Sequence, residues 1–113
     1  MAKYECHLSG NFDQILNLCH DTIMNKSASA SFEDESYYEM SGVRFCVRVY
    51  ERYSAFGGNR LSMTLTVAGD QNGSFVSAIT AGGSQGVLFK FNTIGEETFL
   101  HTLSGVLESY RRN

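Results

Sequence analysis

No stretch of this sequence stays apolar for more than a few residues, far short of the roughly 20 that cross a bilayer, so no membrane-spanning helix is expected. The start, Met1-Ala2-Lys3-Tyr4-Glu5-Cys6-His7, is broken by charges and a histidine where an export signal needs at least about seven uninterrupted apolar residues. The expectation is a cytoplasmic protein. Cysteine is scarce. Cys6, Cys19 and Cys46 are odd in number, widely spaced and without a C-x-x-C, which suits free thiols in a reducing compartment rather than a disulfide framework. Positive charge is scarce as well: nine Lys and Arg against twelve Asp and Glu give a net charge of −3. That balance argues against binding a nucleic-acid backbone, which needs a dominant positive field. Proline is absent altogether, which discriminates between no fold classes.

What is present belongs to a globular domain. The chain has 113 residues, 42% of them hydrophobic and only 19% charged, with eight Phe and six Tyr as large core side chains. A chain of this length forms one domain, residues 1–113, and can bury about two-thirds of its extended surface.

Hydropathy alternates with the period of a strand over residues 2 to 9, Tyr4, Cys6 and Leu8 on one side and Lys3, Glu5 and His7 on the other. After Gly10 the period changes. Asn11 can cap a helix, and Phe12, Ile15, Leu16, Cys19 and Ile23 form an apolar stripe over residues 11 to 25, leaving Asp13, Asn17, His20 and Asp21 toward solvent. From Ser27 the two-residue period returns. Tyr38 and Met40 lie on an apolar side and Glu33, Glu35, Tyr37 and Glu39 on an acidic one; beyond a Ser41-Gly42 turn, Val43, Phe45, Val47 and Val49 oppose a basic side of Arg44, Arg48 and Arg52. A two-residue turn pairs positions whose numbers sum to 83, so Glu39 meets Arg44, Glu35 meets Arg48 and Tyr38 meets Phe45. Charge and hydrophobicity select that register independently.

Ser54-Ala55-Phe56-Gly57-Gly58-Asn59 reads as a loop, and Leu61, Met63, Leu65 and Val67 as the buried side of the next strand. Asp70-Gln71-Asn72-Gly73 supplies a turn. A three-residue bulged loop there sets Leu65 opposite Ile79 and turns Val76 and Ala78 outward, whereas a two-residue Asn-Gly loop turns them inward; the bulged form is preferred. Beyond the Gly82-Gly83-Ser84-Gln85-Gly86 connection, alternation of Val87, Phe89 and Phe91 predicts a last strand. Thr93 and Glu96 read as a capping box opening a final helix with Phe99, Leu103, Val106, Leu107 and Tyr110 on its apolar stripe.

The fold class is therefore α+β: an antiparallel sheet of about five to six strands with two helices on one face, in the order β-α-β-β-β-β(-β)-α. This order resembles that of TATA-binding-protein-like and helix-grip folds, in which a curved sheet embraces a C-terminal helix. The segment from Ser77-Ala78-Ile79 to Gly95-Glu96 and the last helix is similar to a small uncharacterised bacterial family of this length. Neither resemblance transfers a catalytic residue.

The best constellation for ligand binding is Arg44, Arg48 and Arg52 on one strand face with Tyr37 and Tyr50 beside them, a set of guanidinium forks suited to a carboxylate or phosphate. The competing reading is a solvated ladder in which Glu35 and Glu39 neutralise Arg48 and Arg44, leaving Arg52 the least compensated. Cys6-His7 and Cys19-His20 do not make metal or nucleophile pairs, since neighbours point apart. The glycine-rich segments lack the helix that a phosphate loop requires. Asp34 and Glu51 fall on the expected dry side, where they are either buried carboxylates, a strand end in solvent, or the mark of a bulge that resets the register. On the preferred registers Cys46 and Val76 join Tyr37 and Tyr50 on the sheet face turned away from the helices. With Phe56 at a loop tip, Cys46 and Val76 make that face a candidate homodimer interface.

With no convergent acid, base, nucleophile or metal set and no cofactor motif, the sequence points to a non-enzymatic binding or self-associating module. The alternative is a small-molecule carrier or enzyme with a cavity between the sheet and the last helix.

Overall fold

The computed structural model describes residues 1–27, 29–53, 60–82 and 89–112. Strand β1 (Ala2–Leu8) opens the chain, followed by helix α1 (Phe12–Lys26). Asn11 caps α1, its side chain accepting the Gln14 N–H at 2.8 Å, and Asp13 sits in the first turn where the helix dipole favours a negative charge. The predicted stripe of Phe12, Ile15, Leu16, Cys19 and Ile23 is buried. Strands β2 (Ser31–Met40), β3 (Val43–Tyr53), β4 (Arg60–Gly69) and β5 (Ser74–Gly82) follow, and helix α2 (Phe89–Leu107) ends in a short 3-10 turn at Glu108–Tyr110. The class is α+β, with one five-stranded antiparallel sheet in the order β1-β5-β4-β3-β2.

The β2–β3 hairpin has the register its side chains select, with Glu39 opposite Arg44, Glu35 opposite Arg48 and Tyr38 opposite Phe45. Ser41 and Gly42 carry φ of 54° and 80°, the double left-handed turn whose twist matches antiparallel strands. Toward the far end the register shifts by one residue at a bulge between Phe32 and Asp34, so that Phe32 faces Tyr50 and Ser31 faces Glu51. The bulge leaves Asp34 in register with Ser36 and Tyr38 and β3 unbroken, so Asp34 and Glu51 follow the alternation onto the side that the helices do not cover. Neither becomes a buried carboxylate: Asp34 is exposed and Glu51 pairs with Arg60 at 2.6 Å.

The face assignment of this hairpin is reversed from the sequence expectation. Arg48 lies beside Leu65, Tyr50 beside Met63 and Cys46 beside Val67, so the basic side of β3 shares the helix-covered face with the buried side of β4. Val43, Phe45, Val47 and Val49 consequently face away from both helices. Pairing fixes which side is which, because a slip of one residue exchanges every side chain between faces. The alternative would put Ser62, Thr64 and Thr66 of β4 into the core.

Two further expectations are corrected. The β4–β5 connection is a four-residue turn, Asp70–Gly73, closed by the Asp70 N–H to the Gly73 carbonyl at 3.1 Å and by the Asn72 N–H to Asp70 Oδ1 at 2.8 Å. Leu65 therefore faces Ala78, and Val76 and Ala78 point into the core. The last strand is replaced by helix: α2 already includes Phe89 and Phe91, and Val87 lies outside the described residues, as does the 83–86 connection. Thr93 is consequently inside α2 and no capping residue, while Glu96 is buried and bonded to the Met1 ammonium at 2.8 Å.

One core joins these elements. Phe99, Leu100, Leu103 and Leu107 of α2 and Ile15, Cys19 and Ile23 of α1 cluster with Leu8, Leu61, Met63, Leu65 and Val67 of the sheet. This apolar packing occupies the space between α2 and the sheet, and among the described residues clefts open elsewhere, at the sheet turns and beside Asp34–Ser36. The chain ends by running along β1, with the Ser9 N–H bonded to the Tyr110 carbonyl at 2.8 Å and the Arg112 N–H to the His7 carbonyl at 2.7 Å.

Gly42 tests the hairpin turn cleanly, because a Cβ added there would meet nothing within 4 Å while its φ of 80° opposes any L side chain. Gly42→Ala is expected to destabilise the domain by about 1 kcal/mol in urea unfolding, and an unchanged midpoint would show that the turn does not hold this conformation.

Candidate functional site

The arginine face of β3 lies at the rim of the helix layer. Strand β2 is exposed over nearly its whole length, so the hairpin overhangs α1 and leaves a boundary where buried aromatic rings meet charges. Residues two apart on β3 share this face, which brings Arg44, Cys46, Arg48, Tyr50 and Arg52 into one row. Side chains on α1 that the helical pattern assigns to solvent meet that row from above.

Arg44 donates from Nη1 to Asp13 Oδ2 at 2.7 Å and from Nε to the Tyr37 hydroxyl at 2.9 Å. Its guanidinium lies 4.4 Å from the centre of the Phe12 ring. Asp13 thus takes the place expected of Glu39, which accepts from the Tyr37 hydroxyl at 3.2 Å instead. Arg48 donates from Nε to Glu35 Oε1 at 2.7 Å and stacks over Phe32. The Cys46 thiol donates to the same Glu35 oxygen at 3.2 Å. Tyr50 is fully buried, and its hydroxyl meets His20 Nδ1 at 2.7 Å; His20, Phe32 and Tyr50 form a ring cluster with centroids 5.6–5.8 Å apart.

The titration behaviour follows from these contacts. The hydrogen bond from Arg48, then that from Cys46, holds the Glu35 carboxyl below its ordinary value. Burial raises the Cys46 thiol, and the hydrogen bond to Glu35 adds to it. Burial alone pushes Cys19 up to about 12, and it dominates the upward shift of Tyr50. A thiol held protonated is a poor nucleophile, so neither cysteine has the electropositive setting of a reactive one. All three cysteines are free and buried. Among the described residues no cluster of three or more His, Cys, Asp or Glu could hold a metal ion.

The sequence-predicted set is therefore gathered on one face but not onto one point. Guanidinium groups four residues apart on a strand are separated by roughly 13 Å, too far to clamp one small anion together. Arg44 and Arg48 direct their forks at Asp13 and Glu35. Arg52 has no such carboxylate and contacts Ser27 and Phe99. Cys46 and Val76, expected on the face turned away from the helices, are 1% and 0% exposed beneath them, because the β3–β4 and β4–β5 registers turn their side chains inward. Phe56 lies outside the described residues. Sequence reasoning missed Asp13, His20 and Ser27 as partners, since each sits on an element remote in the chain from the arginine or tyrosine it meets.

The opposite face of the sheet carries no helix. Across it run the rows Tyr38–Phe45–Ala68–Phe75–His7, Ser36–Val47–Thr66–Ser77–Glu5 and Asp34–Val49–Thr64–Ile79–Lys3. Tyr38 and Met40 are more than half exposed, and Phe45 and Ile79 are exposed as well. Charge is confined to the margins. Lys3 and Glu5 occupy the β1 edge, and Asp34, Glu51 and Arg60 lie toward one end.

A family model described as a family of unknown function (DUF6054) matches residues 1–111 of the chain. No curated protein and no solved structure matches it. No helix among the described residues is long and apolar enough to cross a membrane.

The Glu35–Arg48 pair gives the acid limb of stability a definite sign. A carboxyl lowered on folding stabilises the domain above its ordinary value near 4.5, and that contribution disappears as pH falls through the lowered one. Glu35 is 39% exposed, so the contribution is small. Glu35→Gln should cost a few tenths of a kcal/mol at neutral pH in urea unfolding, and that difference should shrink as pH falls below about 4.5. A difference that stays constant across that range would mean the ion pair contributes nothing.

Proposed function

Because the chain belongs to DUF6054, a family of unknown function, its role is argued from its own surfaces, and we propose that it is a non-enzymatic, self-associating module. Two copies pack sheet on sheet through the face that carries no helix. The observation behind this reading is an uncharged centre in which Tyr38, Phe45, Val47, Val49 and Ile79 stand among Thr64, Thr66 and Ser77, ringed by charges. An uncharged, aromatic-bearing centre inside a charged rim is the anatomy of a protein interface. Contiguous apolar surface of this kind on a small domain marks a contact site.

Size and charge favour a second copy as the occupant. Five strands about 4.8 Å apart and about 30 Å long present on the order of 700 Å², close to the roughly 800 Å² per partner of a standard stable interface. The uncharged centre can meet itself about a two-fold axis without opposing like charges. Edge pairing through β2 is disfavoured. That strand carries Glu33, Asp34, Glu35 and Glu39 and no base, and two copies of it side by side would set acids against acids.

Light scattering coupled to gel filtration tests the reading. The protein should elute as two copies, and Val47→Asp, at the centre of the face, should weaken association by about 2 kcal/mol or more while leaving the circular dichroism spectrum unchanged. Elution of the unaltered protein as a single copy at concentrations up to about 100 μM would overturn it.

A further inference from the structure

Four of the six arginines are matched to acids; among the described residues the exposed Arg112 and the half-buried Arg52 are not. Arg44, Arg48, Arg60 and Arg111 each lie 2.6–2.8 Å from a carboxylate oxygen. Arg52, near the end of β3, has no such partner among the described residues. Its Nη1 donates to Ser27 Oγ at 3.3 Å, and its guanidinium carbon lies 4.6 Å from the centre of the Phe99 ring. Its Nε is buried and has no acceptor, the only buried side-chain nitrogen or oxygen among the described residues in that condition.

Among the described residues no carboxylate is paired with Arg52. Residues 54–59 and 83–88 contain neither Asp nor Glu. Of the acids around β3, Glu51 and Glu33 are engaged by Arg60 and Glu35 by Arg48, while Glu96 is bonded to the Met1 ammonium. A guanidinium cannot shed its proton to escape the cost of burial, and one neutral hydroxyl does not offset that cost. Burial lowers the Arg52 pKa with no opposing charge to raise it. The aromatic ring beneath satisfies the flat face of the cation and leaves the N–H edge unmatched.

We propose that Arg52 anchors a binding site for a small anion bearing a carboxylate or phosphate group. Ser27, whose hydroxyl accepts from Arg52 and keeps its own proton free to donate, is the second polar contact, and Phe99 forms the floor. The anion supplies the charge the chain withholds. The site stands on the helix-covered face and is independent of association through the opposite one.

The test follows the Nε–Hε resonances of the arginines in ¹⁵N-labelled protein while sodium phosphate or sodium acetate replaces sodium chloride at constant ionic strength. A saturable shift of the Arg52 signal is expected, accompanied by a rise in Tm. A response to phosphate alone assigns the site to phosphate esters, to acetate alone to carboxylates, and to both to oxyanions in general. Arg52→Met should abolish the Tm response, and Ser27→Ala, which keeps the guanidinium, should weaken binding by roughly ten-fold. Absence of a saturable Arg52 shift with either anion would overturn the proposal, as would a non-saturating drift shared equally by the arginines that already hold a carboxylate. The titration of the unaltered protein decides the matter even where a variant fails to fold.

Discussion

Everything in this domain follows from which side of β3 is turned toward the helices. The pairing of Arg48 with Leu65 and Cys46 with Val67 makes the buried stripe of β4 continuous with the row of arginines, and no other parity would keep Leu61, Met63, Leu65 and Val67 inside. The cost is that charged side chains lie under α1 while Val43, Phe45, Val47 and Val49 lie in water. The hairpin tolerates this because it overhangs the helix layer. Its arginines sit at a rim where their guanidinium groups stack on Phe12, Phe32 and Phe99, and those of Arg44 and Arg48 also reach acids.

The two halves of the sheet therefore serve different ends. Under the helices, β1, β4 and β5 supply a conventional apolar core, and Thr80 resolves its polarity by donating to the Glu96 carbonyl at 3.1 Å. Under the hairpin, a connected set of polar contacts runs from Cys46 through Glu35 to Arg48, with Tyr50 and His20 beside it. The contacts to Glu35 lock β2 to β3, while Tyr50 with His20 and Arg44 with Asp13 fix the hairpin against α1 more specifically than apolar contact would.

How much of this the sequence discloses depends on the range over which its signals act. The β2–β3 register is legible because Glu35–Arg48 and Tyr38–Phe45 are cross-strand neighbours joined by a two-residue turn, and local pairs vote together. The face of the hairpin is not legible, because it depends on the β3–β4 register, across which Glu51 and Arg60 are diagonal and not directly opposite. Alternating Val87, Phe89 and Phe91 suggests a strand, yet a short apolar run serves a helix equally well, and α2 takes in the last two. Of the candidate site, Arg48 and its acid are visible in the hairpin pattern. Asp13 with Arg44, His20 with Tyr50 and Ser27 with Arg52 are not, since only the closed fold brings α1 over β3.

The first strand pairs with the fifth: Ala2 lies opposite Thr80 and Leu8 opposite Ser74. During synthesis, then, β1 has no neighbour until some seventy more residues have been added, roughly 4–15 s at ordinary elongation rates. Through that interval β2, β3 and β4 can form as a meander from local turns, whereas β1 and α1 must wait for the strand that closes the sheet. The backbone bonds from Ser9 to Tyr110 and from Arg112 to His7 then fasten the end of β1 to the segment that follows α2. Assembly of this domain is thus a circular event, completed where it began.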